Sequence, residues 1–198
     1  MTDVQLSGHR VIDGVIFDCF GVIRPDRLLL AFQQMSHDTD DDAQFIRDVL
    51  LAARHDMLPD FHQAIADHLR VSKQEWLATL EDTDNDQRVL DMAAALRPDY
   101  ATALLTNAGE GRMRQVVGDM ELERCFDAVL ESGVIGYEKP QPEAFLVAAD
   151  SLGLEPAACV MIDDRPDYCE AARAVGMQAI VYEDFDTCQQ QLDALLQK

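Results

Sequence analysis

Five short apolar runs punctuate the chain: VIDGVIF at 11–17, TALLT at 102–106, DAVL at 127–130, ACVMI at 158–162 and QAIVY at 178–182. Each is too short for a helix, and most end on polar or glycine residues, as strands buried on both faces of a parallel sheet do. Helical periodicities separate the later runs. GRMRQVVG follows the second, and PEAFLVAADSLG follows the third, with proline in its opening turn and glycine at its end. DYCEAARAVGM follows the fourth, and DFDTCQQQLDALLQ closes the chain as an amphipathic helix. Strand alternating with helix predicts an α/β domain on a five-stranded parallel sheet.

Residues 26–97 break this alternation. They hold no convincing strand, only the amphipathic stretches RLLLAFQQM, DAQFIRDVLLAARH, DFHQAIADHL and DQRVLDMAAAL, with a capping-box pattern from Ser72 to Glu75. An all-helical piece between the first and second strands reads as an insertion. The expected organisation is a core of residues 1–25 and 98–198 carrying a helical cap at 26–97.

At 198 residues about 70% of the unfolded chain's surface can be buried, so the fold needs no metal or disulfide staple. The net charge of -21 is unusual, and lysine occurs only at Lys73, Lys139 and Lys198. Such a surface repels phosphate backbones and anionic lipid, which argues against nucleic acid and membrane as partners. A small anionic substrate would need a local positive site. Cys19, Cys125, Cys159, Cys169 and Cys188 are odd in number and form no C-x-x-C pair, which fits a reducing compartment rather than a disulfide framework or a zinc site. The opening MTDVQLSGHR has no apolar segment of signal-peptide length, and no run approaches a membrane span, so a cytoplasmic location is expected.

Ligands of open α/β sheets bind at the carboxyl ends of the strands. Four of the predicted strands lead there into chemically useful residues: Asp18, the pair Thr106-Asn107, the turn Glu138-Lys139-Pro140, and the pair Asp163-Asp164. Singly, each has an ordinary reading as a turn, cap or surface residue. Together they suit phosphoryl transfer through a carboxylate nucleophile, which splits one hydrolysis into two steps. Asp18 is the candidate nucleophile. Asp18 and Asp164, with Asp163 nearby, are candidate holders of Mg²⁺; Lys139 is a second catalytic candidate, neutralising the nucleophile, and with Thr106 and Asn107 a candidate for binding a phosphate.

The stretches VIFDCFGVI, LLTNAG, YEKPQPEAF and VMIDDRPDYCEAARAVGM resemble the haloacid dehalogenase superfamily, in its branch with a helical cap after the first motif. The resemblance spans about Val11 to Tyr182 and implies a Rossmann-like core, a cap closing over the substrate, and Mg²⁺-dependent attack by Asp18 on a small phosphorylated metabolite. It also implies a backbone carbonyl at Phe20 on the metal. Phosphatases of the family usually carry a second aspartate at that position, which protonates the leaving alcohol and then activates water. Phenylalanine moves no proton, and such help is worth roughly 10²–10⁴-fold.

Three readings follow from Phe20. The first is a phosphatase with a good leaving group, or with an acid from the cap, where His55, His62 and His68 lie as helix-surface residues. The second is a metal-free 2-haloacid dehalogenase, whose relatives place an aromatic residue here but would be expected to carry a different fourth motif. The third is a catalytically weak relative that binds phosphate or a partner. The intact acid pair beside Asp18 favours metal and phosphate, because crowded like charges need a cation. Cys19 is expected to point away from the site, and Arg24 to be a surface residue at the hinge. Gly109-Glu110-Gly111 lacks the third glycine of a dinucleotide fingerprint.

Overall fold

The computed structural model describes residues 12–37, 39–54, 57–58, 60–80 and 84–196. One sheet holds five parallel strands in the order β3-β2-β1-β4-β5, with β1 at Gly14–Phe17, β2 at Ala101–Thr106, β3 at Ala128–Glu131, β4 at Cys159–Asp163 and β5 at Gln178–Val181. This is the expected Rossmann-like α/β core. Central β1 is in register with both neighbours, Phe17 lying opposite Leu104 of β2 and Ile162 of β4. The chain segments that leave these three strands therefore emerge side by side at one edge.

Both faces of β1 are covered, so its side chains alternate between two cores rather than between core and water. Val15 and Phe17 enter a cluster with α5 (Gln87–Leu96), α6 (Arg112–Val116), α7 (Asp119–Cys125) and α11 (Phe185–Leu196). Ile16 enters a second cluster with α9 (Pro142–Ser151) and α10 (Pro166–Ala174). Phe17 meets Phe126 edge to face, centroids 6.0 Å apart, a favoured aromatic geometry. Pro142 and Pro166 each open their helix, where the missing amide proton costs nothing. Neither α7 nor the single-turn α8 (Ser132–Ile135) stood out in the apolar pattern.

A third apolar cluster belongs to α1 (Arg27–Met35), α2 (Asp40–Arg54), α3 (Phe61–Leu69) and α4 (Lys73–Ala78). Trp76 is fully enclosed there with Phe32, Ile46 and Ile65. Asp26 and Asp60 cap α1 and α3, and Ser72 with Glu75 completes the capping box that opens α4. Helix α5 behaves differently. Its apolar face of Val89, Leu90, Ala93 and Leu96 lies in the cluster under the sheet, a distinction that a 3.6-residue period alone does not carry. Where the chain enters and leaves the four helices, Asp86 N donates to Ile23 O at 2.7 Å and Arg24 Nη1 to Asn85 Oδ1 at 3.3 Å.

Asp42 ties α2 to α3. Its carboxylate lies 2.6 Å from His68 Nε2 and accepts from the Thr39 hydroxyl at 2.9 Å. The bond with His68, then those with Thr39, hold its pKa down at about 2, below the ordinary 3.8. A depressed folded-state pKa contributes stability that is present above about pH 4 and lost as pH falls towards the folded value. Asp42→Asn is therefore expected to lower the urea midpoint at pH 7, with the gap to wild type closing between about pH 4 and pH 2; a gap independent of pH would show that the carboxylate charge is not what holds these helices.

Candidate active site

The sheet ends place a buried cation between two buried acids. Asp18 follows β1, its amide still bonded to Ile162 O at 2.9 Å, and Asp163 is the last residue of β4. Lys139 reaches in from the loop before α9, its Nζ 2.8 Å from Asp18 Oδ1 and 2.6 Å from Asp163 Oδ2. The three residues are 6%, 1% and 0% exposed for Asp18, Lys139 and Asp163, so the contacts are hardly screened by water. Asp163 uses its other oxygen to accept from the Arg165 amide at 3.0 Å.

Asp164 completes the acidic group: one carboxylate oxygen each from Asp18, Asp163 and Asp164 lies within 4.8 Å of the others. Gly21 makes room for it. With φ at +95°, the backbone there suits glycine, and a Cβ would meet the Asp164 carboxyl at 2.3 Å. Three carboxylates face one ammonium. Burial first, then the neighbouring Asp163 charge, pushes Asp18 up to about 7 against the pull of Lys139. Asp164 rises to about 6, mainly through burial and then through Asp163 and Asp26. Burial works against the charge on Lys139, but Asp18 and Asp163 outweigh it and raise its pKa. An oxygen-only donor set with surplus negative charge fits a hard divalent cation such as Mg²⁺.

Thr106 ends β2 beside this group. Its hydroxyl is the one buried side-chain oxygen among the described residues with no hydrogen-bond partner, an arrangement folded proteins rarely leave unused. Asn107 is engaged differently from a free ligand contact. Its Nδ2 donates to Lys139 O at 2.8 Å and to Tyr168 Oη at 3.2 Å, while its Oδ1 accepts from Lys139 N at 2.8 Å. The amide thus clamps the backbone of the lysine. Tyr168, on α10, lies under Lys139 with Nζ 5.3 Å from the ring centroid.

Nothing in the sequence singles out Tyr168, because an aromatic inside an amphipathic helix looks like any core residue. Nor is Glu131 singled out. At the end of β3 it is 7% exposed and accepts from the Gly111 and Met113 amides at 2.6 Å each, fixing the loop that runs from Thr106 into α6.

Cys19 is buried in the cluster under the sheet, and the half-buried Phe20 packs against the same cluster. Arg24 is half-buried as well, donating to Asn85 and to Val116 O, so it ties the segment before α1 to the one before α5 and to the end of α6 rather than lying on the surface. Two histidines of α3 also depart from the expected surface position. His68 is half-buried, paired with Asp42 and stacked on Phe45, and His62 is half-buried, its Nδ1 accepting from Trp76 Nε1 at 3.0 Å. Polar partners inside the helical cluster draw both inward. His55 lies outside the described residues. No helix among the described residues is long and apolar enough to cross a membrane.

Comparison with known proteins gives a consistent picture. The family model for haloacid dehalogenase-like hydrolases matches residues 12–176. Fructose-1-phosphate phosphatase YqaB of Escherichia coli is 35% identical over 65 residues, 33% of this chain and 35% of its own length. Phosphoserine phosphatase of Thermus thermophilus is 34% identical over 90 residues, 45% of this chain and 36% of its own length. The chain thus spans about a third of the length of these curated relatives. The HAD family enzyme bt-2542 of Bacteroides thetaiotaomicron, solved with magnesium and inorganic phosphate, superposes with a TM-score of 0.66 at 20% identity, covering 89% of this chain and 98% of that one. At that identity the likeness establishes the fold.

Removing one partner from a buried ion pair leaves the other charge uncompensated, typically at a cost of about 3–5 kcal/mol. Lys139→Met is expected to lose stability of that order in urea unfolding at pH 7, and adding Asp18→Asn to it is expected to recover part of the loss. Strictly additive effects in this double-mutant cycle would show that the two side chains are not coupled.

Proposed function

The chain belongs to the haloacid dehalogenase-like hydrolases, and on that premise we propose that it is a Mg²⁺-dependent phosphatase or phosphotransferase acting on a small phosphorylated metabolite through an aspartyl phosphate. The observation that carries this reading is the charge count at the strand ends: three clustered carboxylates against one enclosed ammonium. A halide-displacing site has no use for that surplus of negative charge, whereas a site that takes a divalent cation with its phosphate does.

Asp18 is the nucleophile in this proposal. Its oxygen forms a bond to phosphorus as the bond to the leaving oxygen breaks, and water then attacks the phosphorus of the acyl phosphate, releasing phosphate and regenerating Asp18. Lys139 orients Asp18 and neutralises charge on a phosphate oxygen, and the Thr106 hydroxyl donates to another. Asn107 and Tyr168 hold Lys139 in place, through its backbone and beneath its side chain respectively. Asp18, Asp164 and the Phe20 carbonyl would hold Mg²⁺, supported by Asp163. When bound, the ion supplies the positive charge that lets a carboxylate approach a phosphate. Helices α1–α4, which share their own apolar cluster, would serve in this proposal as the cap over the strand ends.

Phe20 sets the kinetic signature. With no acid at this position, only substrates with good leaving groups react readily, and the acyl phosphate waits for unassisted water. With 4-nitrophenyl phosphate and Mg²⁺ in rapid mixing, a burst of about one equivalent of phenolate followed by slow turnover is expected. Asp18→Asn should abolish the burst, chelator should suppress it, and Phe20→Asp should raise steady-state turnover by roughly 10²-fold or more. Phenolate release that persists in Asp18→Asn, or chloride release from 2-chloropropionate that chelator leaves intact, would refute the reading.

A further inference from the structure

We propose that Arg165 is a positioning residue for the reaction: clasped by Asp167, it steadies the Tyr168 ring against Lys139 and so fixes the direction in which the ammonium meets a phosphate. The inference rests on the phosphate reading above.

Arg165 stands at the N-cap of α10, directly after Asp163 and Asp164, and its side chain makes no capping bond. Both facts run against local preference. Serine, threonine, aspartate or asparagine would cap the helix there, and a cation at a helix N-terminus opposes the macrodipole. The guanidinium is engaged elsewhere. Its Nε and Nη2 donate to Asp167 Oδ1 and Oδ2 at 3.1 and 2.7 Å, a two-pronged grip that sets the plane of the group. Held so, its Cζ lies over the Tyr168 ring, 4.3 Å from the centroid and well inside cation–π range. The two residues are three apart, a spacing that brings side chains together along one side of a helical turn.

Lys139 rests on the same ring, its Nζ 5.3 Å from the centroid. Arg165 reaches the lysine's surroundings through its backbone as well: its amide donates to Asp163 Oδ1 at 3.0 Å, which leaves Oδ2 to accept from Lys139 at 2.6 Å. A lysine needs such support. Its ammonium carries three donors on a flexible four-carbon stem, and Asp18 and Asp163 occupy two of them. The third is the one a phosphate oxygen would use, and the ring beneath the ammonium helps to set its direction. That ring is tied at its tip, where Oη accepts from Asn107 Nδ2 at 3.2 Å, and the guanidinium over its face opposes tilting about the tie. Tyr168 is buried whereas Arg165 and Asp167 are exposed, so the clasp can be opened without hollowing the core.

The test follows the first turnover of saturating 4-nitrophenyl phosphate with Mg²⁺ in rapid mixing, and the affinity of benzylphosphonate for the same chains by calorimetry. Arg165→Met is expected to slow the first turnover about tenfold or more, while phosphonate affinity changes by less than about twofold. Arg165→Lys, which keeps a cation for the ring, is expected to recover part of the rate, and Asp167→Asn to lose part of it. Urea midpoints of these variants are expected to stay near that of wild type, which separates a misplaced ammonium from a loosened fold. In a Tyr168→Leu background, removing Arg165 should cost nothing further; where that chain does not fold, the Arg165 and Asp167 variants decide alone. A wild-type rate in Arg165→Met overturns the inference. So does a loss carried by phosphonate affinity alone, which would make Arg165 a direct substrate contact, or a full multiplication of the Arg165→Met and Tyr168→Leu losses. Each of these leaves the phosphate reading in place. If wild type releases no phenolate, the phosphatase reading falls and takes this inference with it.

Discussion

The ammonium of Lys139, enclosed between Asp18 and Asp163, is the contact on which the rest of the site depends. A lysine only 1% exposed is tolerable because two carboxylates meet it. Two carboxylates at the ends of adjacent strands are in turn tolerable because the ammonium lies between them. The parallel register of β1 and β4 supplies the spacing. Asn107, by gripping the backbone on both sides of the lysine's peptide unit, keeps the long side chain from having to search for its partners. The arrangement still leaves a surplus of carboxylates, Asp164 among them, which Gly21 admits by having no side chain.

Much of this was legible in the sequence because a parallel sheet writes itself plainly: short apolar runs, each ending on the residue that the fold then displays. VIFD and VMIDD needed no long-range information to place their acids at one edge. Residues 26–97 lack any such run, and helices are the elements that the described residues of this stretch form. What the pattern withheld were relations between distant segments. The apolar face of α5 has the same period as those of α1 and α3, yet it packs under the sheet rather than in the helical cluster. Glu131 reads as an acid after a strand, and only the fold shows its two oxygens bonded to amides 18 and 20 residues earlier. Arg24 and His68 look like surface groups in the sequence because their partners, Asn85, Val116 and Asp42, lie 61, 92 and 26 residues away.

Phe20 stands where these levels meet. Its ring rests against the apolar cluster under the sheet, alongside Cys19, Val22 and Ile23. The residue therefore has a packing role that an aspartate would not fill, and the turn after β1 is stabilised by apolar burial at the position where, on the proposed phosphatase reading, an acid would organise proton transfer. Local stability and acid–base chemistry compete for one side chain, and in this chain packing has prevailed.

The bond between Asp86 N and Ile23 O brings together the two ends of the helical segment. With the Arg24–Asn85 contact beside it, this bond makes α1–α4 a loop closed at its base, whose length weighs little on the sheet. Loop-closure entropy rises only by about 0.6 kcal/mol for each doubling of loop length. Insertions, deletions or outright exchange of the helices between these two residues would thus perturb the sheet little. Change in these helices can thus accumulate while the strand ends stay as they are.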